Sequence, residues 1–338
     1  MTRAGPAPPG GRACHEWVRT GKRGARNGGV MSSEQAARTE RIGFIGVGAM
    51  GLPMARRLRR AGYDLVFTSR RREAIEALTA EGAVSLPTPL VVAEQASVVM
   101  TCLPADDDLF EVYLGPEGVV EHMRQGGTIV DFSTASPMMM QRIATEASQR
   151  EIRVVDAPIS GGVYGAEQGT LTIMAGCDED LFESVRPLLE VLGANIYHVG
   201  APGLGKVFKI VNQLLRAASL VIVGEALSLA SNAGADLDLL YDVVRTSSGN
   251  SRAWEDAVPK LRRPANSEPP GFRLELMRKD ISLAAALGGD IGTPLPLTTL
   301  AAQFYTAACS RGIGKQDANE VARLVARMAR AELADEEE

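Results

Sequence analysis

The stretch Gly205-Lys206-Val207-Phe208-Lys209-Ile210-Val211-Asn212-Gln213 holds the side chains best suited to proton chemistry. Only six of the chain's 36 basic residues are lysines, and two of them stand here, three positions apart. A guanidinium keeps its proton in a protein, whereas an ε-amine can give its proton up and loses it more readily on burial. A site that moves a proton can therefore use lysine and not arginine. Lys209, Asn212 and Gln213 lie at i, i+3 and i+4, on one face of the helix expected from Lys206 to Ala233. On so apolar a helix, that polar face is either solvent-facing or the lining of a cleft. Lys206 reads as a solvated residue of the first turn, without a role.

Other elements must position such a face against a reactant. Arg41-Ile42-Gly43-Phe44-Ile45 is a short apolar run of strand type, followed by Gly46-Val47-Gly48-Ala49-Met50-Gly51 and then by a helical pattern from Pro53. GxGxxG between strand and helix is a dinucleotide fingerprint. Gly46 makes the turn, Gly48 admits the pyrophosphate, Gly51 packs helix on strand, and the helix start around Met50 offers free N–H groups to phosphate. The next strand, Asp64–Thr68, runs into Ser69-Arg70-Arg71. An acid here would hold the ribose hydroxyls of NAD, whereas arginines attract a 2′-phosphate. NADP is therefore the preferred cofactor expected, with NAD also possible.

Further strands are expected at 97–104, 128–132 and 153–158, with helices between them. Ligands of a doubly wound sheet bind beyond the carboxyl ends of its strands, where Leu103, Pro104, Ser133 and Thr134 fall. Ile159-Ser160-Gly161-Gly162-Val163 follows the last of these strands. Its small residues suit an anion cradle for a substrate carboxylate, and they suit a flexible turn as well.

Residues from about 41 to 325 resemble the β-hydroxyacid dehydrogenase family. The family includes 3-hydroxyisobutyrate dehydrogenase and tartronate semialdehyde reductase, with 6-phosphogluconate dehydrogenase a more distant relative. The pieces that carry the resemblance are GFIGVGAMGLPMA, DFSTASP, DAPISGGVYGAEQGTLTIMAG, GKVFKIVNQ and GFRLELMRKDISLA, in that order. The resemblance implies that Lys209 is the general acid/base, with Asn212 and Gln213 as the amide pair beside it. Many members have Asn-Asn, so which amide bonds the substrate is open. It further implies that Lys279 and Thr134 contact the cofactor and that Ser160, Gly161 and Gly162 hold the substrate carboxylate. The reaction implied is hydride transfer between the nicotinamide and a small β-hydroxyacid or its semialdehyde. A homodimer or homotetramer, paired through an all-α second domain, is also implied.

The fold class expected is α/β: a doubly wound, Rossmann-type parallel sheet with a second, all-α domain. The dinucleotide-binding domain is placed at 41–199 and the helical domain at 200–328. A Gly-, Pro- and Arg-rich leader at 1–40 is expected to be disordered, as is the acidic run Glu332–Glu338 within a tail placed at 329–338. The leader fits a transit peptide or, more simply, an upstream extension with Met31 as the start. Pro259–Gly271 reads as a loop, and Thr246–Trp254 as a segment approaching the cleft. A net charge of -5 and a pI near 5.5 argue against a nucleic-acid partner. The apolar run at Leu214–Leu229 carries Arg216 and Glu225, so a buried helix is expected rather than a membrane span. Four scattered cysteines fit a reducing cytoplasm, and the three separated histidines suggest no metal. Two competing readings are an imine reductase, which typically lacks a lysine at position 209, and a non-catalytic NADP-binding scaffold.

Overall fold

The computed structural model describes residues 40–265 and 267–333; the expectations for the leader up to residue 39 and for 334–338 lie outside it. The chain first alternates strand and helix: β1 (Arg41–Ile45), α1 (Gly51–Arg60), β2 (Asp64–Thr68), α2 (Arg72–Ala80), β3 (Val84–Ser85), α3 (Pro89–Gln95), β4 (Val98–Thr101), α4 (Asp106–Leu114), α5 (Val119–His122), β5 (Thr128–Asp131), α6 (Pro137–Ser148) and β6 (Arg153–Asp156). Next come β7 (Ile159–Ser160), α7 (Gly162–Gln168), β8 (Leu171–Gly176), α8 (Glu179–Leu192) and β9 (Gly193–Gly200). Six helices complete the described residues: α9 (Leu204–Asn232), α10 (Leu237–Arg245), α11 (Arg252–Leu261), α12 (Leu274–Asp290), α13 (Pro296–Ser310) and α14 (Glu320–Ala329).

The sheet order is β3-β2-β1-β4-β5-β6-β8-β7, with β9 paired to β8. From β3 to β6 every pairing is parallel, and the strand order reverses at β1 and β4. Period-2 alternation sends Ile42, Phe44, Leu65, Phe67 and Met100 into one apolar layer and Ile45, Val66 and Val99 into the other. The first layer is closed by α1, α2, α7 and α8, and the second by α3 to α6. Met54 and Leu58 of α1 are fully buried there, each worth about 1.5–3 kcal/mol. This is the doubly wound sheet read from the sequence, with one difference. Beyond β6, β8 pairs antiparallel with β6, through a single register pair, Asp156 with Gly176, and antiparallel with β7, while β9 runs parallel to β8. A third apolar cluster, built by α9 to α14, forms the helical unit.

The helix α9 has 29 residues, roughly 43 Å of length. By length and composition alone it is long and apolar enough to cross a membrane, at a mean hydropathy of 1.6. Here it is the central helix. Its start lies on β8, β9 and β6, and its later turns pack on α12, α13 and α14. Gly224 permits the approach of α14, since a Cβ there would come within 2.8 Å of the Ala322 backbone. Two readings of the second half need correction. Pro259 lies inside α11, in its last turn, rather than in a loop; it gives up one backbone N–H there, at the end of a ten-residue helix. Trp254 is buried in the helical core and its indole N–H donates to the Tyr241 carbonyl, so it does not face a cleft.

Candidate active site

The glycine turn has the shape the fingerprint requires. Gly46 has φ 91°, and a Cβ there would strike the Cys102 carbonyl at 2.4 Å. A Cβ on Gly51 would lie 2.1 Å from the Gly46 carbonyl, so α1 meets the turn with no room for a side chain. A Cβ on Gly48 would meet open space, and no side chain caps the start of α1 at Met50. Open space over free N–H groups fits a dinucleotide pyrophosphate. At the end of β2 the Ser69 hydroxyl accepts the Arg71 N–H at 3.1 Å, closing a turn. Arg70 and Arg71 are exposed there, without an ion-pair partner among the described residues.

At the end of β4, Leu103 donates its N–H to the Ser133 hydroxyl at 2.8 Å, and Pro104 follows it, exposed. At the end of β5 the Thr134 carbonyl accepts from the Lys279 ammonium. Lys279 belongs to α12, so this bond joins the sheet to the helical unit. Gly161 and Gly162 both have positive φ, 136° and 65°, and α7 starts there without a side-chain cap. A Cβ on Gly162 would have the Gly271 carbonyl, just ahead of α12, as its near neighbour at 4.0 Å. The Ser160–Gly162 turn thus faces the helical unit.

The polar face of α9 lines a buried pocket of contacts rather than solvent. Lys209 is 6% exposed and donates to Gln213 Oε1 at 3.2 Å. Asn212 donates to the same oxygen at 3.0 Å. Gln213 in turn donates to Asp280 Oδ2 at 2.7 Å. Asp280 is 1% exposed, and its other oxygen lies 3.2 Å from the Lys279 ammonium. Both ends of the Gln213 amide are therefore engaged by the protein. Asn212 is half-buried, and its carbonyl oxygen has no partner among the described residues. Burial pulls the Lys209 amine down from its ordinary range to about 8. Asp280 opposes that shift, while Lys279 and Arg216 add to it. An amine near 8 exchanges a proton readily on either side of neutrality.

Lys206 is not the solvated residue expected from the sequence. It has no exposure, and its ammonium lies 2.7 Å from both Asp131 Oδ2 and Asp156 Oδ1. Two carboxylates held by the sheet outweigh burial and keep it above the ordinary lysine range. Burial dominates at Asp156, which is held above the usual carboxylate range. Asp156 Oδ2 also accepts the N–H groups of Gly203 and Lys206, capping α9 from another element. Sequence reading missed Asp131, Asp156 and Asp280. The signal for the first two is an acid closing an apolar strand, TIVD and RVVD; Asp280 directly follows Lys279.

The structure thus brings Lys209, Asn212, Gln213, Lys279 and Thr134 into one bonded cluster. The glycine turn, Leu103 and Ser133 gather at the strand ends. Ser160–Gly162 and Ser69–Arg71 stand apart, with no hydrogen bond to that cluster among the described residues.

Comparison with known proteins matches residues 41–200 to the NAD binding domain of 6-phosphogluconate dehydrogenase. Residues 203–325 match the NAD-binding domain of NADP-dependent 3-hydroxyisobutyrate dehydrogenase. The chain is 37% identical to 2-(hydroxymethyl)glutarate dehydrogenase of Eubacterium barkeri, over 84% of this chain and 94% of that one. It is 36% identical to 2-hydroxy-3-oxopropionate reductase of Escherichia coli K12, over 87% and 100%. Among solved structures it is similar to 3-hydroxyisobutyrate dehydrogenase of Mycobacterium tuberculosis with L-serine: TM-score 0.78, 30% identity, 85% and 99% coverage.

Proposed function

The chain belongs to the β-hydroxyacid dehydrogenase family, and on that premise we propose that Lys209 is the general acid/base of its reaction. The enzyme is an NAD(P)-dependent dehydrogenase of small hydroxyacids. When bound, the nicotinamide supplies the hydride acceptor or donor. The observation that carries the proposal is the buried Lys209 amine at about 8, fixed by Gln213 at the junction of the two units. As a neutral amine it accepts the substrate hydroxyl proton in oxidation; as an ammonium it returns that proton in reduction. Asn212, with an uncommitted carbonyl, is the amide that meets substrate, and Gln213 orients the amine through Asp280. Ser160, Gly161 and Gly162 hold the substrate carboxylate. Gly46, Gly48, Met50 and Gly51 receive the pyrophosphate, with Leu103, Pro104, Thr134 and Lys279 beside the nicotinamide half. Exposed Arg70 and Arg71, with Ser69 in place of an acid, support a preference for NADP over NAD.

The functional protein is proposed to be a homo-oligomer in the cytoplasm. Phe208, Val211, Leu215, Ile222 and Leu229 form one exposed apolar stripe along α9 at spacings of three, four and seven, with Leu215 61% and Leu229 76% exposed. A second copy of this helix suits such a seam. Free thiols at Cys102, Cys177 and Cys309 suit a reducing compartment.

The test is turnover of NADPH or NADH with the compounds named for the relatives: 3-hydroxyisobutyrate, L-serine, 2-(hydroxymethyl)glutarate and 2-hydroxy-3-oxopropionate, each in its working direction. Lys209→Ala is expected to lose roughly 10²-fold or more in kcat. Full activity in that variant overturns the assignment. Turnover of a cyclic imine, with none of the hydroxyacids or semialdehyde accepted, would favour the imine reductase reading.

A further inference from the structure

Lys206 lies one helical turn before Lys209, and three oxygens surround its ammonium: it donates to Asp131 Oδ2 at 2.7 Å and to the Asp131 carbonyl at 3.2 Å, and it pairs as an ion with Asp156 Oδ1 at 2.7 Å. All three side chains are fully buried. Each acceptor is already fixed to the sheet. Asp131 Oδ1 accepts the Thr101 hydroxyl at 2.5 Å and the Ser133 hydroxyl at 2.7 Å. Ser133 in turn holds the Leu103 N–H at the end of β4. Asp156 Oδ2 holds the first turn of α9 by two backbone N–H groups.

A second path leaves the same strand end. Thr134 accepts from Lys279, Lys279 neighbours Asp280, Asp280 holds Gln213, and Gln213 holds Lys209. The path therefore returns to α9 one turn beyond its start. The first two turns of α9 are clamped at both ends to the segment 131–134. Glycine at 205 leaves no slack, since a Cβ there would lie 2.5 Å from the Met174 carbonyl and 2.7 Å from that of Asp156. Buried ion clusters add little net stability over apolar packing of the same volume. What this one supplies is direction: an ammonium held by two fixed acceptors and a second carboxylate sets both the depth and the rotation of the helix.

We propose that Lys206 is a positioning residue, which locks α9 to the ends of β5 and β6 so that the Lys209 amine is held against the strand ends where the reactants meet. The proposal rests on the reading of Lys209 as acid/base. A misplacement of about 1 Å can cost 10²-fold in rate. A role confined to stability would lower the melting temperature and leave kcat of the folded enzyme unchanged.

The test compares wild type with Lys206→Met and with Lys206→Met/Asp156→Asn. The trio carries one net negative charge, the single variant two, and the double variant one again. In the double variant the asparagine oxygen can still cap α9. Three readouts are taken: the melting temperature; kcat and KM on the compound that turns over; and the pH midpoint of Lys209 acetylation by acetic anhydride, followed by mass spectrometry without cofactor. Expected for the double variant are near-wild-type melting, a kcat loss of about 10- to 100-fold and KM values within about threefold. The acetylation midpoint is expected to rise from about 8 toward the ordinary lysine value as Lys209 leaves its buried seat. Wild-type kcat and an unmoved midpoint in either folded variant overturn the proposal. Should no compound turn over in wild type, the acid/base reading fails, and the acetylation midpoint still decides the role of Lys206. Should the single variant not fold, the double variant is read alone.

Discussion

The buried amine of Lys209 costs stability, and removing it is expected to give that stability back. Its ordinary value is 10.5 and its value in the fold is about 8. Between those values the unfolded chain binds a proton that the folded chain does not, so stability rises with pH across this window and the full penalty is present below it. A shift of this size corresponds to about 3 kcal/mol. Lys209→Met keeps an unbranched chain of similar length and removes the charge. It also forfeits the hydrogen bond to Gln213, worth about 1 kcal/mol. The net expectation at pH 7 is a gain of about 2 kcal/mol, enough to raise the melting temperature by several degrees. By pH 9.5 roughly half of the penalty is gone in wild type, and the gap between the two proteins should narrow accordingly. Calorimetry of both proteins without cofactor at pH 7 and 9.5 reads this directly. A variant that melts below wild type at pH 7, or a gap of the same size at both pH values, refutes the reasoning.

Arg70→Ser/Arg71→Ser is expected to lower kcat/KM for NADPH by about tenfold or more while sparing NADH, consistent with loss of charged hydrogen bonds to a 2′-phosphate; steady-state kinetics with each cofactor checks it. Gly51→Ala should be destabilised by about 1–3 kcal/mol, because its Cβ would lie 2.1 Å from the Gly46 carbonyl; denaturant unfolding would show this, together with weakened cofactor binding. Leu215→Glu/Ile222→Glu should reduce the molecular mass in sedimentation to that of a single chain, as charges interrupt the apolar stripe of α9. An unchanged mass would place the interface on another face.

The strands that form the sheet centre were legible because each is an apolar run closed by turn residues, as in RIGFI before the glycine turn. The edge was not. β3 is two exposed residues, and β9 is exposed or half-buried at every position after Gly193, so neither leaves an apolar run to read. The face carrying Lys209, Asn212 and Gln213 was visible from spacing, but whether it faced solvent depended on α12, some 65 residues later. Lys206 was misread for the same reason. Its neighbours in sequence are those of any first-turn lysine, while its partners, Asp131 and Asp156, are 75 and 50 residues earlier. Burial of a charge is a property of converging elements, and a single helix does not display it.

The central claim is that Lys209 carries the transferred proton, and pH–rate profiles taken in both directions test it most directly. Oxidation needs the neutral amine, so kcat/KM for the hydroxyacid should rise through a pH near 8. Reduction needs the ammonium, so kcat/KM for the semialdehyde should fall through the same region. Opposed limbs that vanish from the residual activity of Lys209→Ala are the expected result. Limbs that run the same way in both directions, or that survive in Lys209→Ala, would contradict the account.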